Sequence, residues 1–116
     1  MQPSELLKTL ALLAPKFQTQ WDGPYNYYVG GDGTCTLHGV FAEFSSFFKA
    51  GANELTDEQC KQIGEFVSSC MKTPGTNLDN AAATCFVENI AGDPPAKKLR
   101  PFLTGEALNY LENWGG

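Results

Sequence analysis

Cys35 and His38 stand three residues apart in the stretch TCTLHGV, a spacing that puts a thiol and the chain's single imidazole on one turn of any helix they share. That is half of a zinc site, or half of a thiol–imidazole pair. A structural zinc takes four ligands, usually in close pairs, and Cys60, Cys70 and Cys85 are each isolated. A nucleophilic cysteine needs an electropositive, partly exposed setting, and the stretch around Cys35 is acidic rather than basic. The plainer reading puts Cys35 in the core at a helix start and His38 at the core's edge. A small enzyme would need Cys35 or His38 to meet a convergent glutamate, and Glu43, Glu65 and Glu88 each stand mid-helix beside apolar neighbours. Carboxylates in that position ordinarily form the solvated flank of an amphipathic helix.

Other motifs are weaker. Gly30, Gly31 and Gly33 lack the following Lys-Ser or Lys-Thr and the preceding strand of a phosphate loop, so they read as a flexible turn. Lys97, Lys98 and Arg100 form one small basic cluster without interleaved aromatics, which reads as a solvated helix face rather than a nucleic-acid patch. Gly115 and Gly116 end the chain as in sulfur carriers and ubiquitin-like modifiers, but those are β-grasp folds, and a frayed terminus suits a helical pattern better. No catalytic residue, metal or cofactor is assigned.

The strongest binding signal is PKFQTQWDGPYNYYVGGDG, which sets Phe17, Trp21, Tyr25, Tyr27 and Tyr28 among turn residues. Tyr and Trp offer large rigid area at low entropic cost and dominate interface hot spots. The expected partner surface is therefore Trp21, Asp22, Tyr25, Tyr27, Tyr28 and Asp32, extended by Glu54, Asp57 and Glu58. The competing reading folds the same rings inward to close the core.

Charge indicates what such a surface would meet. The formal charge is -5, and residues 17–71 hold seven acidic residues against Lys49 and Lys61 while the flanks nearly cancel. That balance disfavours nucleic acid and anionic membrane, because phosphate binders work by displacing counterions with Lys and Arg. A basic protein partner is the complement. The segment MQPSELLKTLALLAP has too short an apolar run for a secretory signal, and no stretch approaches a membrane span, so a cytoplasmic location is expected. The four cysteines are read as reduced core thiols, with an inter-helix bridge as the other outcome; Cys60 and Cys70, roughly 15 Å apart along one helix, cannot pair with each other.

The elements that must position these groups are helical throughout. A chain of 116 residues suits one domain, 1–116, with one core. Leucines at 6, 7, 10 and 13 give a first amphipathic helix that Pro15 ends. A long aromatic loop runs from Pro15 to Gly33. Thr34 is expected to cap a helix with Leu37, Val40, Phe41, Phe44, Phe47 and Phe48 on one stripe, closed by Gly51. Thr56 and Gln59 make a capping box for a third helix to about Lys72, with Cys60, Ile63, Phe66, Val67, Cys70 and Met71 inward. Residues 77–92, NLDNAAATCFVENIAG, are apolar on nearly every side, which predicts a central helix capped by Asn77 with the others packed around it. A short Pro-started helix follows, then one capped by Thr104 with Ala107, Leu108, Leu111 and Trp114 inward. No run alternates long enough for a strand, and no internal repeat or low-complexity segment occurs. The expectation is an all-α, irregular single-domain bundle of five or six helices.

LDNAAATCFVENIAG followed by KKLRPFLTGEALNYL resembles the C-terminal half of a family of small, uncharacterised all-helical bacterial proteins. Phe86, Val87 and Glu88, then Leu99, Leu103 and Gly105, carry the resemblance, and Thr34 to Phe48 looks like that family's aromatic helix. It covers about two-thirds of the chain. The resemblance implies an all-helical fold and no catalytic residues, and the family's members resemble the immunity proteins paired with polymorphic toxins. The expected function is thus a cytoplasmic immunity protein that neutralises a cognate, basic toxin domain by occlusion. The rival classes are a small enzyme using Cys35 or His38 with a glutamate, and a structural or regulatory subunit.

Overall fold

Residues 77–90 form the rod around which the molecule is packed. Thr76, not Asn77, caps it: its side chain accepts from the Asp79 amide at 3.1 Å. The rod starts as α-helix over Asn77–Ala81, widens to π-helix over Ala82–Val87 and closes as α-helix over Glu88–Ile90. Ala81, Ala82, Ala83, Phe86, Val87 and Ile90 are all buried. Gly92, with φ of 83°, takes the left-handed turn that stops it. Residues 1–114 are described by a computed structural model, and Gly115 and Gly116, with the frayed end expected there, lie outside them.

Around this rod, here called α5, stand α1 (Pro3–Leu13), α2 (Lys16–Trp21), α3 (Leu37–Gly51), α4 (Asp57–Cys70), α6 (Ala96–Leu99) and α7 (Gly105–Asn113). Two 3-10 turns, Ala52–Glu54 and Arg100–Phe102, join them, and the described residues contain no strand. The helix count exceeds the expected five or six because α2 forms where the long loop was expected to begin. Phe17 and Trp21, one turn apart, both bury and give that short helix an inward face.

The core is a single cluster of buried side chains drawn from every helix. At its centre Phe86 of α5 lies 6.1, 5.4 and 5.8 Å from the rings of Phe41, Phe44 and Phe48 of α3. The chain continues outward through Phe44, whose ring meets Phe17 of α2 edge-on at 4.9 Å. Such pairs add about 0.5–1.5 kcal/mol each beyond the area they bury.

Local signals account for most helix ends. The Thr56 and Gln59 capping box forms as expected. At α3 the cap is Thr36 rather than Thr34, its hydroxyl accepting from the Gly39 amide at 3.0 Å. Thr34 is diverted, because Asp32 Oδ1 takes both its amide and its hydroxyl. Trp114 does not turn inward: it ends α7 about half exposed, its ring 6.1 Å from Tyr110.

Lys98 also departs from the expected solvated face. Its ammonium donates to the Ala52 and Leu55 carbonyls at 2.7 and 3.0 Å, closing the end of α3 from across the fold. Lys98→Met keeps the aliphatic stem and removes both bonds, leaving the Ala52 carbonyl only the Leu55 amide at 3.1 Å. It should lower stability by about 2 kcal/mol at roughly 1 kcal/mol per bond, read as a shift in urea midpoint at unchanged slope; no shift would mean that water replaces the ammonium without loss.

Candidate functional site

The segment after α2 is held by hydrogen bonds within itself and by one packing contact on α3. Asn26 donates to the Trp21 carbonyl at 2.9 Å and accepts from the Tyr28 amide at 3.0 Å. Further on, the Gly30 amide donates to the Thr34 carbonyl at 2.8 Å and the Gly33 amide to the Gly30 carbonyl at 2.9 Å, with Gly33 at φ of 83°. The Thr34 hydroxyl and amide hold the Asp32 carboxyl below its usual range. The glycines therefore build a closed turn rather than a loose one. Tyr28 then rests on α3 at Gly39, so close that a Cβ there would sit 3.0 Å from the Tyr28 Cβ.

This frame presents Tyr25 79%, Tyr27 87% and Tyr28 45% exposed, with Val29 beside them. Asp22 and Asp32 are also exposed, at the two ends of the turn. Trp21, expected to be exposed for a partner, is corrected: only 7% exposed, its ring 6.1 Å from Phe17, it closes the core. The inward reading thus holds for Phe17 and Trp21, and the outward one for the three tyrosines. The division falls where α2 ends: Phe17 and Trp21 share the inward face of that helix, and the tyrosines follow it in the turn.

Glu54, Asp57 and Glu58 are exposed. Glu54 pairs with Lys16 at 3.5 Å, at the start of α2, whereas the tyrosine loop leaves its end. The six residues of α2 span roughly 9 Å at the usual helical rise.

Cys35 and His38 both line a broad, open cavity of about 660 Å³ between the starts of α1, α3 and α5. The imidazole partner is not a thiol or carboxylate: His38 Nε2 lies 3.3 Å from the side-chain nitrogen of Asn80. Among the described residues, no group of three or more His, Cys, Asp or Glu is placed to hold a metal ion. The three glutamates diverge. Glu43 is buried instead of solvated and accepts from Gln20 at 3.1 Å, Glu88 accepts from the Tyr110 hydroxyl at 3.2 Å, and Glu65 faces water. Burial first, and the Glu88 carboxylate second, push the Tyr110 phenol up.

All four cysteines are free thiols. Cys60 and Cys70 are buried, and burial raises both, Cys70 to about 12. Cys35 and Cys85 are half-buried and pack against the edge of the core. No helix among the described residues is long and apolar enough to cross a membrane. Compared with known protein families, with curated proteins and with solved structures, the chain finds no match in any of the three.

Proposed function

We propose that this is a binding protein that engages a basic protein partner through the tyrosine loop, residues 22–33, and that its task is that of an immunity protein: occluding a cognate toxin domain. The observation that carries the reading is the exposure of Tyr25, Tyr27 and Tyr28 on a turn pinned by its own hydrogen bonds. Rings that no core needs are costly to leave in water unless something covers them, and a pre-formed turn loses little entropy on docking. Asp22 and Asp32, within an acidic half of the chain, favour fast encounter with a cationic face.

The test pairs Tyr25→Ala with Tyr27→Ala, which removes two rings that support nothing inside. The double variant should keep its helical circular dichroism and unfolding midpoint. Its affinity for a partner captured by the unaltered chain from cells of its source organism should fall about 100-fold, the effect of losing hot-spot rings worth about 2–3 kcal/mol together. Calorimetric titration that finds equal affinity for both forms would remove the loop from the interface. Immunity requires more: the partner expressed alone must arrest growth, and co-expression of this chain must restore it.

A further inference from the structure

A second cavity, of about 250 Å³, opens between α5, α7 and the turn that follows α4. From α7 it receives a polar face with no other use. Glu106, Asn109 and Asn113 fall at i, i+3 and i+7, so they share one side of the helix, and none of their side chains bonds to another described residue. From α5 come the half-buried Asp79 and the exposed Asn80. Asp79 accepts from the Gly75 amide at 3.0 Å through Oδ2, which leaves Oδ1 free of any bond.

The charge in this cavity is of one sign. Asp79 and Glu106 line it, and no Lys, Arg or His does. Tyr110, half-buried in the wall, donates its hydroxyl to Glu88 at 3.2 Å. Burial is the first cause of its raised phenol, and Glu88 and then Asp79 add to it, so the field at the ring is negative. The ring itself gives a cation a face to rest on. Among the described residues no three His, Cys, Asp or Glu converge on a metal ion, and a ring with carboxamides suits an organic cation. The backbone carries a further mark. Ala83 and Thr84 of the π-helical segment Ala82–Val87 form part of the wall, and π turns within helices stand disproportionately at functional sites.

We infer that this cavity binds a small aliphatic diamine, one ammonium taken by Asp79 and the other by Glu106, with the side-chain carbonyls of Asn80, Asn109 and Asn113 accepting the remaining hydrogens. An alkylammonium stays charged well above neutral pH, so the diamine brings two charges to two carboxylates. A single ammonium leaves one carboxylate unmatched, which disfavours a lone lysine of a protein. The methylenes between the two charges meet Ala83 and the Tyr110 ring. The site shares no residue with the tyrosine loop and stands or falls without it.

The probe is 1,4-diaminobutane, titrated into the full chain while amide resonances are followed. Saturable shifts should gather over residues 79–84 and 106–113. Butylamine, with one charge, should bind at least about 10-fold more weakly, and 1,4-butanediol, with none, should leave the spectrum unchanged. Glu106→Gln keeps the shape of the side chain and should bring the diamine down to the level of the monoamine. Glu65→Gln removes the same charge from an exposed site on α4 and should change nothing. Equal loss in the two variants would show that the diamine reads only the overall charge of the chain, and the assignment falls. It falls too if the diol shifts the same residues, or if no saturable shift appears up to about 10 mM. Nα-acetyl-lysine amide separates the two sources of an ammonium: it should bind no better than butylamine, and tighter binding than the diamine would give the cavity to a protein side chain instead.

Discussion

Phe86→Ala should destabilise the protein by about 3–5 kcal/mol, the usual range for emptying a fully buried phenylalanine site. The ring is inaccessible to solvent and sits among Phe41, Phe44 and Phe48. Phe44, the nearest of the three, is itself fixed edge-on against Phe17 at 4.9 Å and stacked on Phe47 at 5.7 Å, which limits how far it can move into the gap. The residual void therefore adds to the lost transfer energy. Since a domain of this size has about 5–15 kcal/mol in all, the variant is expected to be marginal at 37 °C. Urea unfolding monitored at the helical band measures it, and a loss under about 1.5 kcal/mol would show that the core repacks freely. Phe86→Leu, which keeps most of the volume, should recover the greater part.

The second large effect is at Gly64, in the middle of α4. A Cβ placed there would lie 2.6 Å from the Cβ of Phe102, 2.9 Å from its carbonyl oxygen and 3.0 Å from its carbonyl carbon. These atoms belong to the backbone or adjoin it, so no side-chain rotation relieves them. The 3-10 turn Arg100–Phe102 would have to lift away from α4, drawing with it the bond from the Thr104 amide to Ser68 Oγ at 3.0 Å one turn further on. Gly64→Leu should cost about 3 kcal/mol, the upper end for overpacking. Gly64→Ala should also destabilise, although alanine in a helix is ordinarily worth about 1 kcal/mol over glycine. The sign is what discriminates: a stabilised Gly64→Ala would mean that the helix and the turn are not in contact in solution. Gly51→Ala is the control, because its added Cβ meets nothing within 4 Å.

What could be seen in the sequence divides along the range of the interactions. The phenylalanine stripe of α3, the Thr56 and Gln59 capping box and the apolar run of α5 depend on neighbours within a turn, and all three stand where their spacing puts them. Choices between two similar residues were less visible. Thr36 caps α3 because Asp32 has already engaged Thr34, a competition that depends on how the turn folds. Long-range partners left no trace at all: Lys98 reaches 46 residues back to Ala52, and Gly64 is a glycine for the sake of Phe102. In the candidate site, Tyr25, Tyr27, Tyr28, Asp22 and Asp32 were legible as turn residues without an inward period. Trp21 was not, because it ends a helix too short for its pattern to show.

The π-helical segment Ala82–Val87 bears on tolerance to a one-residue deletion. Its hydrogen bonds reach back five residues where an α-helix reaches back four, so this stretch stores one residue beyond what a plain helix between the same endpoints would hold. Losing one alanine there would let the coil rewind and keep Leu78 and Ile90 facing their old neighbours, whereas a deletion within α3 or α4 would turn one part of that helix out of register with the other. The deepest part of the molecule is thus the part best able to give up a residue.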